Sequence, residues 1–204
     1  YKKVVLDDFE LSISNSKLLS VQSRNVKLEN IESSDGSIIT LDVVLGKKNA
    51  TLSANNIEGL DVIAFLEKGK FMAASSPEDP FSGLPDASDY ADSLNKLDLE
   101  DNNTIDKKAL TDLVMQAEEK MLNVKGVTNT EGASASTSRT EFSFLSSKDF
   151  FKSYKKTIHS ISAIAIAGQD TNMQRDYDYS AAIHFDDLKN PIEVGEKAGE
   201  RAAS

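Results

Sequence analysis

The stretch that decides the fold is MQRDYDYSAAIHF, residues 173–185. It alternates for thirteen positions. Met173, Arg175, Tyr177, Tyr179, Ala181, Ile183 and Phe185 fall on one side, and Gln174, Asp176, Asp178, Ser180, Ala182 and His184 on the other. A period of two puts these sets on opposite faces of a strand, and no helical period fits as well. The first face is mostly aromatic and aliphatic and the second is polar, so the spacing predicts an antiparallel strand buried on its tyrosine face. Tyr179 is expected in the core, and Tyr177 in either a core or an interface.

Partner strands are expected nearby. Thr140–Leu145 alternates, and Phe150–Ala167 is a long strand pattern. Turns are predicted at 146–149 and 168–170, and Val127–Ser138 is small and polar. The glycine, alanine and serine run at 132–138 is either flexible or a strand that admits a close backbone. A first meander precedes this one. Strand patterns cover Val4–Val21, Val26–Ile31, Ile38–Leu45 and Ala50–Ala54, with turns expected at Asn15-Ser16, Asp35-Gly36 and Gly46-Lys47.

Helices lie between and after the meanders. Apolar spacing predicts one over Glu58–Ala74, weakened by Gly69, and a clearer one over Ile105–Val124, capped by Asn103 or Thr104. Asn190-Pro191-Ile192-Glu193 is a helix start with cap, proline and acid in order. The proline-rich residues 75–103 read as a connector. The fold class is therefore α+β: two antiparallel β-meanders with packed helices. The expected divisions are 1–74 (meander plus helix), 75–103 (connector) and 104–204 (helix, second meander and final helix). The chain opens on Tyr1, and Glu196–Ser204 reads like a helix cut in mid-course, so both ends read as artificial boundaries.

The 204 residues carry 33 acidic and 23 basic side chains, a net charge of -10, with no cysteine. That balance argues against a nucleic-acid surface, which needs a basic stripe. Lys152, Lys155 and Lys156 read as a solvated face. Disulfides and thiolate chemistry are excluded within the chain. No apolar run reaches the roughly 20 residues of a membrane span. His159 and His184 are the two histidines. They read as surface or half-buried imidazoles rather than a metal pair, and neither belongs to an H-E-x-x-H motif. Asp176 and Asp178 lie on one face, roughly 7 Å apart, and read as solvated acids. Neither a G-x-S-x-G elbow nor a phosphate loop occurs. From the residues alone, no catalytic or metal-binding residue can be named.

Several segments carry a resemblance. SSPEDPFSGLP (75–85) resembles the A-x-x-P-x-D-P-Y/F-x-G-L connector of the TldD/PmbA family. VKGVTNTEGASAS (124–136) and RDYDYSAAIH (175–184) are similar to its central segments, and LSVQSR (19–24) with LENIE (28–32) to its N-terminal hairpin. The resemblance runs in order along nearly the whole chain and is closer to the PmbA (TldE) branch. It implies a cytoplasmic bacterial protein that joins a TldD-like subunit, or itself, in a zinc metallopeptidase acting on unfolded or small polypeptides. Older naming in the family, modulator of DNA gyrase, implies instead an adaptor independent of proteolysis. The family's zinc motif H-E-x-x-x-H belongs to the TldD branch and lies further along the chain than this sequence reaches, so no catalytic residue is carried over. The resemblance therefore implies no zinc in this chain, only in a TldD-type partner. Arg175, Asp176, Tyr177, Asp178, Tyr179 and His184 remain as candidates for a partner-facing or core strand.

Overall fold

A computed structural model describes residues 4–55, 57–91, 93 and 97–204. Tyr1, and the parts of the connector at Asp92 and 94–96, lie outside the described residues, as does Asn56. The elements are β1 (Asp8–Arg24), β2 (Lys27–Leu45), β3 (Lys48–Asn55), α1 (Val62–Ser75), α2 (Lys107–Leu122), β4 (Val127–Ser146), β5 (Phe150–Ala167), β6 (Gln174–Ala182) and α3 (Pro191–Ala203). The six strands form one antiparallel sheet in the order β3-β2-β1-β4-β5-β6. The fold is α+β, and each meander keeps its strands consecutive.

Two expected turns are instead continuous strand. β1 runs through Asn15-Ser16, where Ser16 pairs with Thr140 through their hydroxyls at 3.1 Å. β2 runs through Asp35-Gly36. Local turn propensity loses to the ladder when long partner strands are at hand. The real turn lies between Arg24 and Lys27, where Asn25 and Val26 both have φ of 53°.

By packing, the chain divides into two compact units, neither contiguous in sequence. The first comprises Tyr1–Ser16, Asp35–Leu97 and Thr140–Lys155, and the second Lys17–Ser34, Asp98–Arg139 and Lys156–Ser204. In the first, Ile39, Leu41, Val43 and Leu52 pack with Phe65 and Ala73 of α1. Leu41 faces Leu52 across the β2–β3 ladder. Asp61 caps α1 by accepting from the Ala64 N–H at 3.0 Å, which starts the helix at Val62 rather than Glu58. Gly69 is the price of close packing: a Cβ there would lie 2.9 Å from Leu52.

The second unit's core joins Val21, Leu110, Val114, Ala117 and Met121 to a set of small residues. These are Ala133 and Ala135 of β4, Ala163, Ala165 and Ala167 of β5, and Ala198 and Ala202 of α3. Small side chains let α2 and α3 approach so closely that a Cβ on Gly195 would lie 1.9 Å from the Ala117 carbonyl oxygen. Asp106, not Asn103 or Thr104, caps α2 through the Ala109 N–H at 2.8 Å. α3 starts as its sequence predicts, with the Asn190 side chain accepting from Ile192 N–H.

Candidate functional site

The candidate residues cluster on β6 and the link that follows it, in the second unit. Their faces are reversed from the expectation. Asp178 and Ser180 are buried, at 3% and 9% exposure, while Tyr177 and Tyr179 stand 48% and 59% exposed. The cause is α3, which packs on β6 over the polar side chains. The Asp178 carboxylate receives Lys189 Nζ at 3.1 Å and Arg201 Nη1 at 3.0 Å. A buried charge is tolerable when paired in this way. Asp178 stands opposite Ala163 and Ser180 opposite Ile161, so the acid face of β6 continues the buried alanine face of β5. The reading failed because Lys189 and Arg201 lie 11 and 23 residues along the chain, outside any local pattern.

The other candidates are engaged singly. Arg175 grips Glu131 with two bonds of 2.9 Å, and this fork holds the Glu131 carboxyl below the usual carboxylate range. Asp176 accepts from the N–H of Tyr177 at 2.7 Å. His184 Nε2 sits 3.0 Å from Asp98. The two histidines thus face separate carboxylates, because His159 Nε2 lies 3.3 Å from Asp101. That last contact lacks hydrogen-bond geometry, and His159 is 1% exposed with Phe185 edge-on at 5.6 Å. Burial holds the His159 imidazole below its ordinary pKa.

Asp101, which the sequence does not single out, is the hub of this region. Its carboxylate accepts from Phe185 N–H and Asn103 N–H, each at 2.8 Å, and these bonds hold its pKa down. Its own N–H donates to Thr157 Oγ1 at 2.8 Å, and its carbonyl accepts from Arg139 Nη2 at 2.6 Å. Thr157 in turn donates to the Ile183 carbonyl at 2.8 Å. Residues 99–103 are thereby stitched to β5 and to the segment between β6 and α3. Glu118, which the apolar stripe of α2 assigns to the outward face, is instead fully buried and accepts from the N–H groups of Asn25 and Val26 at 2.8 and 3.1 Å.

The open face of β4-β5-β6 carries serine pairs, Ser134 with Ser162 and Ser136 with Ser160, each 2.9 Å apart. Beside them a depression of about 420 Å³ is lined by Ile164, Arg175, Tyr177 and Tyr179. The hydroxyls pair with each other and not with an imidazole, so this is a surface that can bind but has no activated nucleophile. Among the described residues, no group of three His, Cys, Asp or Glu side chains could hold a metal. The residues present do not fit the zinc that the family resemblance implies for a TldD-type subunit.

Comparison with known proteins gives a consistent answer. The family model of the PmbA/TldA metallopeptidase central domain matches residues 72–204. The chain is 26% identical over 196 residues to the metalloprotease PmbA homolog of Haemophilus influenzae, covering 96% of this chain and 44% of that protein. It is likewise 26% identical over 199 residues to metalloprotease PmbA of Escherichia coli O157:H7, covering 97% and 44%. The chain thus spans less than half the length of these curated relatives. Two solved structures share the fold. One is a protein of Bacteroides thetaiotaomicron named for modulation of DNA gyrase, with TM-score 0.84, 19% identity, and 97% of this chain covered against 45% of that one. The other is TldE of Thermococcus kodakarensis, with TM-score 0.76, 14% identity, and coverage of 97% and 44%.

Proposed function

The chain belongs to the PmbA/TldD family, and from that membership we propose that it forms the N-terminal and central part of a PmbA-like subunit that does not itself cleave peptides. It holds a TldD-like partner, or a second PmbA-like copy, and helps to wall the space in which unfolded or small polypeptides are cut. In this reading the zinc belongs to the TldD-type partner, and the assembly works in the cytoplasm, without nucleic acid or membrane. No helix among the described residues is long and apolar enough to cross a membrane.

One observation carries the non-catalytic reading. The three carboxylates buried among the described residues are each committed to structure: Glu118 to two backbone N–H groups, Asp101 to two more, and Asp178 to two cations. A general base needs a lone pair aimed at substrate, and these carboxylates are buried and turned to internal donors. The test is hydrolysis of an unfolded peptide by the purified chain alone and by the full-length subunit with a TldD-type partner. Cleavage is expected only with the partner. Cleavage by the chain alone, surviving repurification and absent from a mock preparation, contradicts the reading.

A second reading, an adaptor that works without proteolysis, is favoured by the gyrase-modulator name of a solved relative and by the open tyrosine and serine face of β4-β5-β6. It predicts stable binding of a folded target by the chain without any TldD-type subunit.

A further inference from the structure

Among the described residues β6 is the last strand of the sheet, and an edge strand offers its unpaired N–H and C=O groups to any other strand. Here those groups are taken by side chains. Arg201 Nη1 donates to the Tyr177 carbonyl at 2.9 Å, and Lys189 Nζ to the Tyr179 carbonyl at 3.3 Å. Asp176 accepts the N–H of Tyr177 at 2.7 Å. Both cations are anchored on the one buried carboxylate, Asp178. Ser180 adds a further hold on the same segment by accepting from the Lys189 N–H at 3.1 Å.

We propose that Asp178, Lys189 and Arg201 form a clamp that closes the β6 edge against pairing with β6 of a second copy of this chain. The occupant follows from the geometry. The backbone groups of Tyr177 and Tyr179 face away from β5, so an added strand must bond to these residues. An antiparallel second β6 that sets Tyr177 against the other copy's Tyr179 satisfies both edges at once, by a twofold. It also brings the exposed tyrosines of both copies together, which cross-strand aromatic pairing favours. An unclamped β6 is therefore self-complementary, and the two cations occupy the acceptors that such pairing needs. Association with a TldD-like subunit or another copy then uses a surface other than this edge.

The test is sedimentation of the 204-residue chain across a concentration series. Asp178→Asn/Lys189→Met/Arg201→Met removes the clamp without stranding a charge, and Lys189→Met alone frees the Tyr179 carbonyl while Arg201 still neutralises Asp178. The triple variant is expected to associate with a dissociation constant at least about tenfold below that of the unmodified chain, and the single variant with a smaller shift. Adding Tyr179→Pro, whose lost N–H faces outward and costs no bond to β5, is expected to return either variant to unmodified behaviour. A folded clamp variant that sediments like the unmodified chain overturns the proposal. So does association that survives Tyr179→Pro.

Discussion

Val26 holds φ at 53°, a conformation that β-branched residues rarely adopt, and Glu118 supplies the compensation through the N–H groups of Val26 and Asn25. Glu118→Ala removes the partner of both part-buried donors, so it is expected to cost about 1 to 2 kcal/mol, read from denaturant melts. His159 gives a pH signature. Burial depresses its pKa, so the folded protein refuses a proton that the unfolded chain accepts as pH falls through about 6.5. Stability is full above that value and declines below it. The Asp101 carboxyl is also depressed, by the N–H groups of Phe185 and Asn103, and its contribution is lost only further down, below the ordinary carboxylate pKa of about 3.9. Asp101, His184 and Arg139 are the titratable and charged neighbours of His159. The fall in stability between about pH 7.5 and 5.5 is therefore expected to flatten in His159→Leu. Tyr179 is the residue whose surroundings the pattern misjudged. At 59% exposure it supports no core, and Tyr179→Ala is expected to shift stability by less than about 0.5 kcal/mol. A loss of several kcal/mol would restore the aromatic face to the interior.

Elements were legible in proportion to how local their signals are. The α3 start was readable because cap, proline and acid stand within four residues. The alternation of β6 was readable too, but alternation identifies two faces without saying which one is covered. Hydrophobicity pointed to the tyrosines, whereas two cations on α3 and its preceding segment draw Asp178 inward. Turn signals misled in β1 and β2 for a related reason: the pairing of long strands outweighs a local Asp-Gly preference. The Arg24–Lys27 turn is implied only by the resemblance of 19–24 and 28–32 to the family hairpin, and not by local turn residues, because its stabiliser, Glu118, lies on another element. Helix contact shows the same dependence on distant partners. Gly195 reads as a weak point in α3 but marks its closest approach to α2. Gly195→Ala would drive a methyl into the Ala117 carbonyl, and a loss of about 3 kcal/mol or more is expected in thermal or denaturant unfolding. Near-neutral behaviour would mean that the helices sit further apart.

For the whole molecule, the order meander, helix, helix, meander, helix was visible in the sequence, and so was the family. The merging of both meanders into one six-stranded sheet was not, because nothing local announces that β1 pairs with β4. The site-level absence of a readable active centre has a physical counterpart. Among the described residues, each histidine faces a single carboxylate, the buried acids bond to backbone N–H groups and cations, and no group of three such side chains could hold a metal. The central claim, that this chain is a scaffold whose polar residues hold it together and whose zinc resides elsewhere, is tested most directly by metal analysis of the purified chain after exposure to zinc and extensive dialysis. The account predicts zinc far below one ion per chain. One tightly held zinc per chain, lost on substituting His159 or His184, would contradict it.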